Sequence, residues 1–250
     1  MAESALALRE HPQIIELLSV LEQNSLSKQK EEVQALVGYI DGMEEKLSQM
    51  MDEMKEMRLE VGKLYDKGIR ARCSQLLGTA EGKIHQVKSM VSTAKENLIS
   101  SAKQMVQTFR EKGRSALCRA AQALHIPSVL SRMGRGFAHA GKGMEQCSVR
   151  LDAMREELHQ AGGHIKNAGL ALAGKESQES KELSADKGVL AKLRVMFLLC
   201  GKACSDMDHD ISRAVERLSG GRSSVKTELQ GLKSAQAGQR RQAASKEQAR

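Results

Sequence analysis

The chain has 250 residues and a net charge of +8, and 40% of its residues are hydrophobic while only 2% are aromatic. A core so poor in aromatic side chains is built from Leu, Ile, Val, Ala and the 13 Met, which favours packed helices over sheets. No apolar run reaches the roughly 18 to 20 residues that cross a bilayer, and the first residues lack the features of a signal peptide. We therefore expect an all-α cytoplasmic protein.

The charges are divided along the chain. Residues 1–62 carry 6 Lys or Arg against 13 Asp or Glu, whereas residues 63–150 carry 16 against 5. An acidic arm and a basic middle attract each other, within one molecule or between two, as readily as either attracts a foreign partner. The basic excess alone therefore does not indicate nucleic-acid binding.

The first elements are a short helix and a long acidic one. Pro12 is favoured in a first helical turn, so residues 1–26 are expected to form a short N-terminal helix and a turn. A long helix is predicted at about 28–66, where ten apolar residues are spaced alternately three and four apart, as the a and d positions of a coiled coil are. These residues, the first seam, are Val33, Leu36, Ile40, Met43, Leu47, Met50, Met54, Met57, Val61 and Leu64. So narrow a stripe needs a facing helix.

Three more long helices are predicted, at about 80–112, 142–173 and 187–219. Glycines from Gly78 to Gly82 indicate an interruption before the first of these, and the glycine-rich stretch 134–143 indicates a break before the second. The second keeps its apolar phase across Gly162–Gly163, which indicates a kinked or continuous helix. Its stripe is Met144, Cys147, Leu151, Met154, Leu158, Ala161, Ile165, Ala168 and Leu172.

The predicted architecture is an elongated helical bundle or coiled coil of about four long helices. It spans residues 27–219, and Gly220–Gly221 is expected to end its last helix. Residues 220–250 contain 7 Lys or Arg against 2 Asp or Glu and few apolar residues. We expect this basic tail to be disordered.

Several stretches are distinctive as sequence: Leu26–Val33, Ala35–Asp41, Phe109–Leu117, Ile126–Ser131, Met154–His159 and Gly162–His164. They resemble a family of uncharacterised helical proteins encoded on integrative and conjugative elements of Gram-positive gut bacteria. The resemblance covers roughly residues 11–219 and leaves the basic tail outside. It implies a setting on a mobile genetic element and carries over no catalytic or ligand-binding residue.

One stretch is close to a phosphate-binding loop. Residues 136–143 place two glycines, Gly136 and Gly141, before Lys142, but Gly143 stands where such a loop needs a hydroxyl for Mg²⁺. The preceding residues 131–135 are no strand that could aim the loop. We interpret the stretch as a helix break.

Five free cysteines are expected, since their number is odd and no export signal precedes them. Cys200 and Cys204 lie one helical turn apart and His209 follows, a pattern that supplies part of a zinc site. Both cysteines also lie in phase with the apolar stripe, where Cys behaves as a small hydrophobic residue. The core interpretation is favoured, and the nearby Asp206, Asp208 and Asp210 lack the glycine and closing Glu of a calcium loop.

No catalytic constellation is recognisable, so we expect a protein that is not an enzyme and needs no cofactor. Basic residues are the best remaining indication of function. The candidate phosphate-binding residues are Lys88, Lys95, Lys103, Arg110, Arg114, Arg119, Arg240 and Arg241. Without aromatic residues to stack on bases, such binding would follow backbone charge rather than sequence.

Three functions remain open. The favoured one is a structural or interaction protein that associates with itself or with another helical protein through the helix at about 28–66. The second is sequence-nonspecific nucleic-acid binding through the basic middle and tail. The third is reversible association with an anionic membrane surface, for which Lys stems beside an apolar face are also suited.

Overall fold

The computed structural model describes residues 6–176 and 188–247, and for residues 220–247 it describes the backbone alone. A 3-10 turn at Leu8–Glu10 precedes the α-helices. In chain order these are α1 (Pro12–Gln23), α2 (Ser27–Gly62), α3 (Lys67–Lys112), α4 (Arg114–Gln122), α5 (Ile126–Leu172) and α6 (Val189–Glu247). The all-α prediction is confirmed, since the described ranges contain no strand, and none of their helices is long and apolar enough to span a membrane.

The four long helices pack in a ring, α2 against α3, α3 against α5, α5 against α6, and α6 against α2. Each neighbouring pair is antiparallel, because residue numbers fall along one helix as they rise along the other. Two contacts show this for each pair: Glu44–Lys95 and Arg58–Glu81 between α2 and α3, Leu76–Cys147 and Lys83–His139 between α3 and α5, Gly141–Cys204 and Asp152–Arg194 between α5 and α6, and Glu53–Cys200 and Glu60–Lys192 between α2 and α6. The short helix α1 lies against α2 and α3, and α4 lies against α3.

Helix α2 matches the predicted acidic helix but ends at Gly62 rather than at 66. The chain turns there because Asp66 caps α3, its carboxylate accepting the Ile69 N–H at 2.9 Å. Eight residues of the first seam are buried, while Met57 and Leu64 are partly buried against the core. The seam therefore contributes most of its length to the interior of the chain.

The predicted interruption at Gly78 to Gly82 is wrong, because α3 begins at Lys67 and runs through both glycines. Gly78 and Gly82 are exposed and have open space beside them. On the opposite side, buried Cys73, Leu77 and Ala80 extend the apolar phase of the helix. Burial of that face outweighs a cost of about 1 kcal/mol per glycine.

The predicted break at 134–143 is also wrong, because α5 begins at Ile126 and is helical throughout this stretch. A Cβ atom added at Gly134 would lie 3.0 Å from the Asp208 carboxylate, and one added at Gly141 would lie 3.4 Å from the Cys204 Cβ atom, both on α6. Gly136 and Gly143 meet side chains of α3 in the same way. The glycines are therefore the places where α5 approaches two neighbouring helices. The helix continues through Gly162–Gly163 to Leu172, as the unbroken apolar phase indicated.

Helix α6 begins at Val189, close to the predicted start, but it does not end at Gly220–Gly221. Its backbone remains helical to Glu247. The tail predicted to be disordered is thus helical over residues 220–247. Its candidate phosphate-binding residues Arg240 and Arg241 lie in this range, for which the structure describes the backbone and not the side chains.

Candidate interaction surfaces

The first seam faces the interior of its own chain. Helices α3 and α6 both contact α2, and seam residues such as Ile40, Met43 and Leu47 are fully buried. Pairing of this stripe with a second chain requires α3 or α6 to be displaced. The seam is thus a packing surface of the single chain.

Helix α5 extends past the end of its neighbours. At this end of the ring α2 stops at Gly62, α3 starts at Lys67 and α6 starts at Val189. Ion pairs join α5 to these neighbours here, from Asp152 to Arg194 on α6 at 2.7 Å and from Glu157 to Arg72 on α3 at 3.5 Å. Residues 158–172, which we name the α5 extension, continue as a helix for about 22 Å at ~1.5 Å per residue.

The α5 extension carries its apolar stripe into solvent. The same stripe is buried as far as Met154, but Leu158 is 37% exposed, Ile165 75% and Leu172 91%. These three residues are seven apart, so they lie along one face of the helix. The two small residues Ala161 and Ala168 lie between them and are also exposed. These residues are the part of the stripe predicted for the helix at about 142–173 that the described chain leaves uncovered.

The α5 extension is also poor in charge. Residues 158–174 contain one Lys, Lys166, and no Arg, Asp or Glu, in a chain of which 28% is charged. An exposed helix normally carries charged residues on its solvent side. The low charge and the exposed aliphatic residues together distinguish this segment from the solvated faces of the other helices.

Lys95 is buried, unlike the other candidate phosphate-binding residues whose side chains the structure describes. Lys95 is 5% exposed, and its ammonium group donates to the Glu44 carboxylate on α2 at 2.7 Å. A buried lysine that is already paired does not belong to a surface for phosphates. Lys95 is therefore a link between α3 and α2.

The remaining basic candidates lie on the surface. Arg110 is exposed and pairs with Glu16 of α1 at 2.5 Å. Lys88, Lys103, Arg114 and Arg119 are exposed, and no acidic side chain among the described residues lies within ion-pair distance of them. These four cations, which we name the free cations, are spread over α3 and α4.

The N-terminal segment is fixed to the ring by buried polar groups. The Asp41 carboxylate of α2 accepts the Leu8 N–H at 2.7 Å and the Arg9 N–H at 3.2 Å. His11, also buried, accepts the Gln13 N–H through Nδ1 and so caps α1. Sequence reasoning missed Asp41, because nothing in its spacing shows which backbone it contacts.

The cysteine pair lies in the core, as its phase indicated. Burial raises the pKa of the Cys200 and Cys204 thiols to about 12, and the nearby Glu53 carboxylate adds to the effect at Cys200. Both remain protonated at neutral pH, and their burial makes the thiolate form that zinc binds more costly. Across residues 6–176 and 188–219, no three His, Cys, Asp or Glu side chains are grouped so as to hold a metal ion.

Comparison with known proteins gives one match. A family model described as a family of unknown function, DUF6674, matches residues 10–250, which include the basic tail that the resemblance left outside. No curated protein and no solved structure matches the chain. Because the model covers nearly the whole sequence, the chain belongs to this family of unknown function.

Proposed function

We propose that the protein is a non-enzymatic interaction protein of the cytoplasm whose long helices form a bundle that presents the α5 extension to another helix. The observation that carries the proposal is the exposed stripe Leu158, Ile165 and Leu172, which continues a buried stripe beyond the end of the ring. Fully burying such a residue against a second helix contributes roughly 1.5–3 kcal/mol, which offsets part of the cost of association.

This proposal moves the interacting helix from α2 to α5. The seam of α2 is already covered by α3 and α6, so it offers little surface to a partner. The α5 extension offers the same kind of stripe with its face uncovered. The mobile-element setting that the resemblance implies stays a prediction.

The test is to place a charge in the exposed stripe. We expect wild-type protein to associate at micromolar concentration in sedimentation-velocity runs, and Ile165→Glu to weaken that association because a carboxylate is costly to bury. Val149→Glu is the matched control, since Val149 is an exposed aliphatic residue on the same helix but within the ring. If wild-type protein associates and Ile165→Glu and Val149→Glu weaken that association equally, the α5 extension is not the interacting surface.

Nucleic-acid binding is the second candidate function, and the four free cations favour it. Because such binding depends on phosphate contacts, the affinity for a random-sequence duplex is expected to fall steeply with salt. Lys88→Gln with Lys103→Gln should reduce that salt dependence, whereas Arg110→Gln tests a cation that an ion pair already engages. Affinity that does not respond to salt excludes this function.

Membrane association is the third candidate, and it shares the same cations. It requires binding to anionic vesicles and none to neutral ones. Flotation of the protein with each kind of vesicle separates it from nucleic-acid binding.

A further inference from the structure

We propose that the partner of the α5 extension is the α5 extension of a second copy, packed antiparallel against it with Gly162 and Gly169 at the closest approach. This inference rests on the proposed function and names its partner and its geometry. Five observations support it: the charge of the extension, the adjoining sequence, the order of large and small residues, two glycines, and the length of the helix.

The charge of the segment favours a second copy. With Lys166 as the single charged residue from 158 to 174, the segment has no pattern of charges that would attract an acidic or a basic partner. For the same reason two copies repel each other little when they meet. A face that is apolar and almost uncharged is therefore suited to pairing with itself.

The sequence that adjoins the extension has no matching apolar stripe. Residues 174–187 connect the extension to α6 and contain Leu183 as their single large apolar residue. Three exposed aliphatic residues seven apart need a facing stripe of similar spacing. The adjoining sequence has no such stripe, whereas the extension of a second copy has one.

The order of large and small residues favours an antiparallel pair. Leu158, Ile165 and Leu172 occupy a positions, and Ala161 and Ala168 occupy d positions. In an antiparallel pair an a residue lies level with a d residue of the other helix, so the layers of Ile165 with Ala168 and of Leu172 with Ala161 each pack a large side chain on a small one. Ile165 then meets Ala168 of the second copy. A parallel pair would instead place Ala on Ala and leave those layers poorly filled.

Two glycines permit the helices to come close. Gly162 and Gly169 follow the two alanines directly, which makes one side of the stripe flat. Both have open space beside them, so no neighbour in the described part of the chain explains their small size. Length fits as well: when Leu172 lies level with Ala161 of the second copy, α5 ends just before it reaches the ring of that copy.

The experiment enlarges the glycines without adding charge. Gly162→Gln with Gly169→Gln raises helix propensity in the monomer, yet it separates the two helices in the proposed pair, so we expect the dimer Kd to rise roughly tenfold or more. Gly38→Gln with Gly82→Gln is the control, since these glycines also have open space beside them but lie on α2 and α3. Sedimentation velocity measures the Kd of each variant.

The outcomes separate this inference from the proposed function. A dimer that Ile165→Glu weakens but the Gly162 and Gly169 variants leave intact overturns the glycine-facing geometry and keeps the interaction surface. Wild-type protein that stays monomeric throughout the concentration series overturns the second copy as partner. A dimer that neither set of changes affects overturns both proposals.

Discussion

Asp41 is the residue whose side chain joins the N-terminal segment to α2. It is buried, and it accepts the backbone N–H groups of Leu8 and Arg9. Asp41→Ala leaves both donors without their acceptor, so we expect the free energy of unfolding to fall by about 1–3 kcal/mol in urea denaturation. Amide exchange at Leu8 and Arg9 should become faster in the same variant.

Asp52→Ala is the control for this prediction. Asp52 is exposed and pairs with Lys55 one turn away, an interaction worth about 0–1 kcal/mol. Equal losses of stability in the Asp41 and Asp52 variants would show that Asp41 does not anchor the segment.

The cysteines give a second prediction at the residue scale. Thiolates are the reactive form, and burial holds the pKa of Cys200 and Cys204 at about 12. In native protein at pH 8, a disulfide reagent should therefore react first at Cys118, which is only partly buried. Cys118→Ser should remove the fast phase, and a fast phase that survives would contradict the burial of the others.

The same pKa values set a dependence of stability on pH. Thiols in the unfolded chain ionise near the ordinary pKa of 9.0, whereas the two buried thiols ionise near about 12 in the folded chain. The unfolded state thus binds fewer protons above pH 9, and stability falls as pH rises from about 9 towards about 12. Below about pH 9 these two thiols do not make the free energy of unfolding depend on pH. Urea denaturation of wild type and of Cys200→Ala with Cys204→Ala at several pH values measures the difference in slope.

At the scale of the helix, the glycines of α5 can be tested one against another. Gly141 lies where α5 touches α6, and a Cβ atom there would meet Cys204 and the Gly201 carbonyl at 3.4 Å. Gly141→Leu overfills this contact, so we expect a loss of about 1–3 kcal/mol in the free energy of unfolding. Gly38→Leu, in open space on α2, should instead stabilise by up to about 1 kcal/mol through helix propensity. Losses in both variants would contradict the contact role of Gly141.

The first seam and the glycines of α5 show which features of the fold can be predicted from the sequence and which cannot. The first seam could be predicted, because alternating spacings of three and four report directly on which face of a helix is buried. The glycines of 134–143 could not be assigned, because their reason is close approach to α3 and α6. Lys95 shows the same limit, since its burial depends on Glu44, 51 residues earlier in the chain.

The exposure of the α5 extension is likewise a property of the whole molecule. Its stripe has the same spacing before and after Met154, so the sequence alone does not show where the cover ends. The cover ends because α2, α3 and α6 all begin or stop near one level of the ring. Which stripe is free for a partner is thus decided by helix lengths.

The arrangement of two copies can be measured as a distance. In the proposed antiparallel pair the two-fold axis lies near residues 166–167, about 16 residues from Arg150 along α5. Spin labels on Arg150→Cys, in a Cys118→Ser background, should therefore be separated by about 50 Å at ~1.5 Å rise per residue. Arg150 is exposed and lies outside the proposed contact, so the label does not disturb it. A parallel pair would instead bring the labels within about two helix diameters, roughly 20–24 Å. Ile165→Glu should remove the long distance by dissociating the pair, which ties the measured separation to the α5 extension.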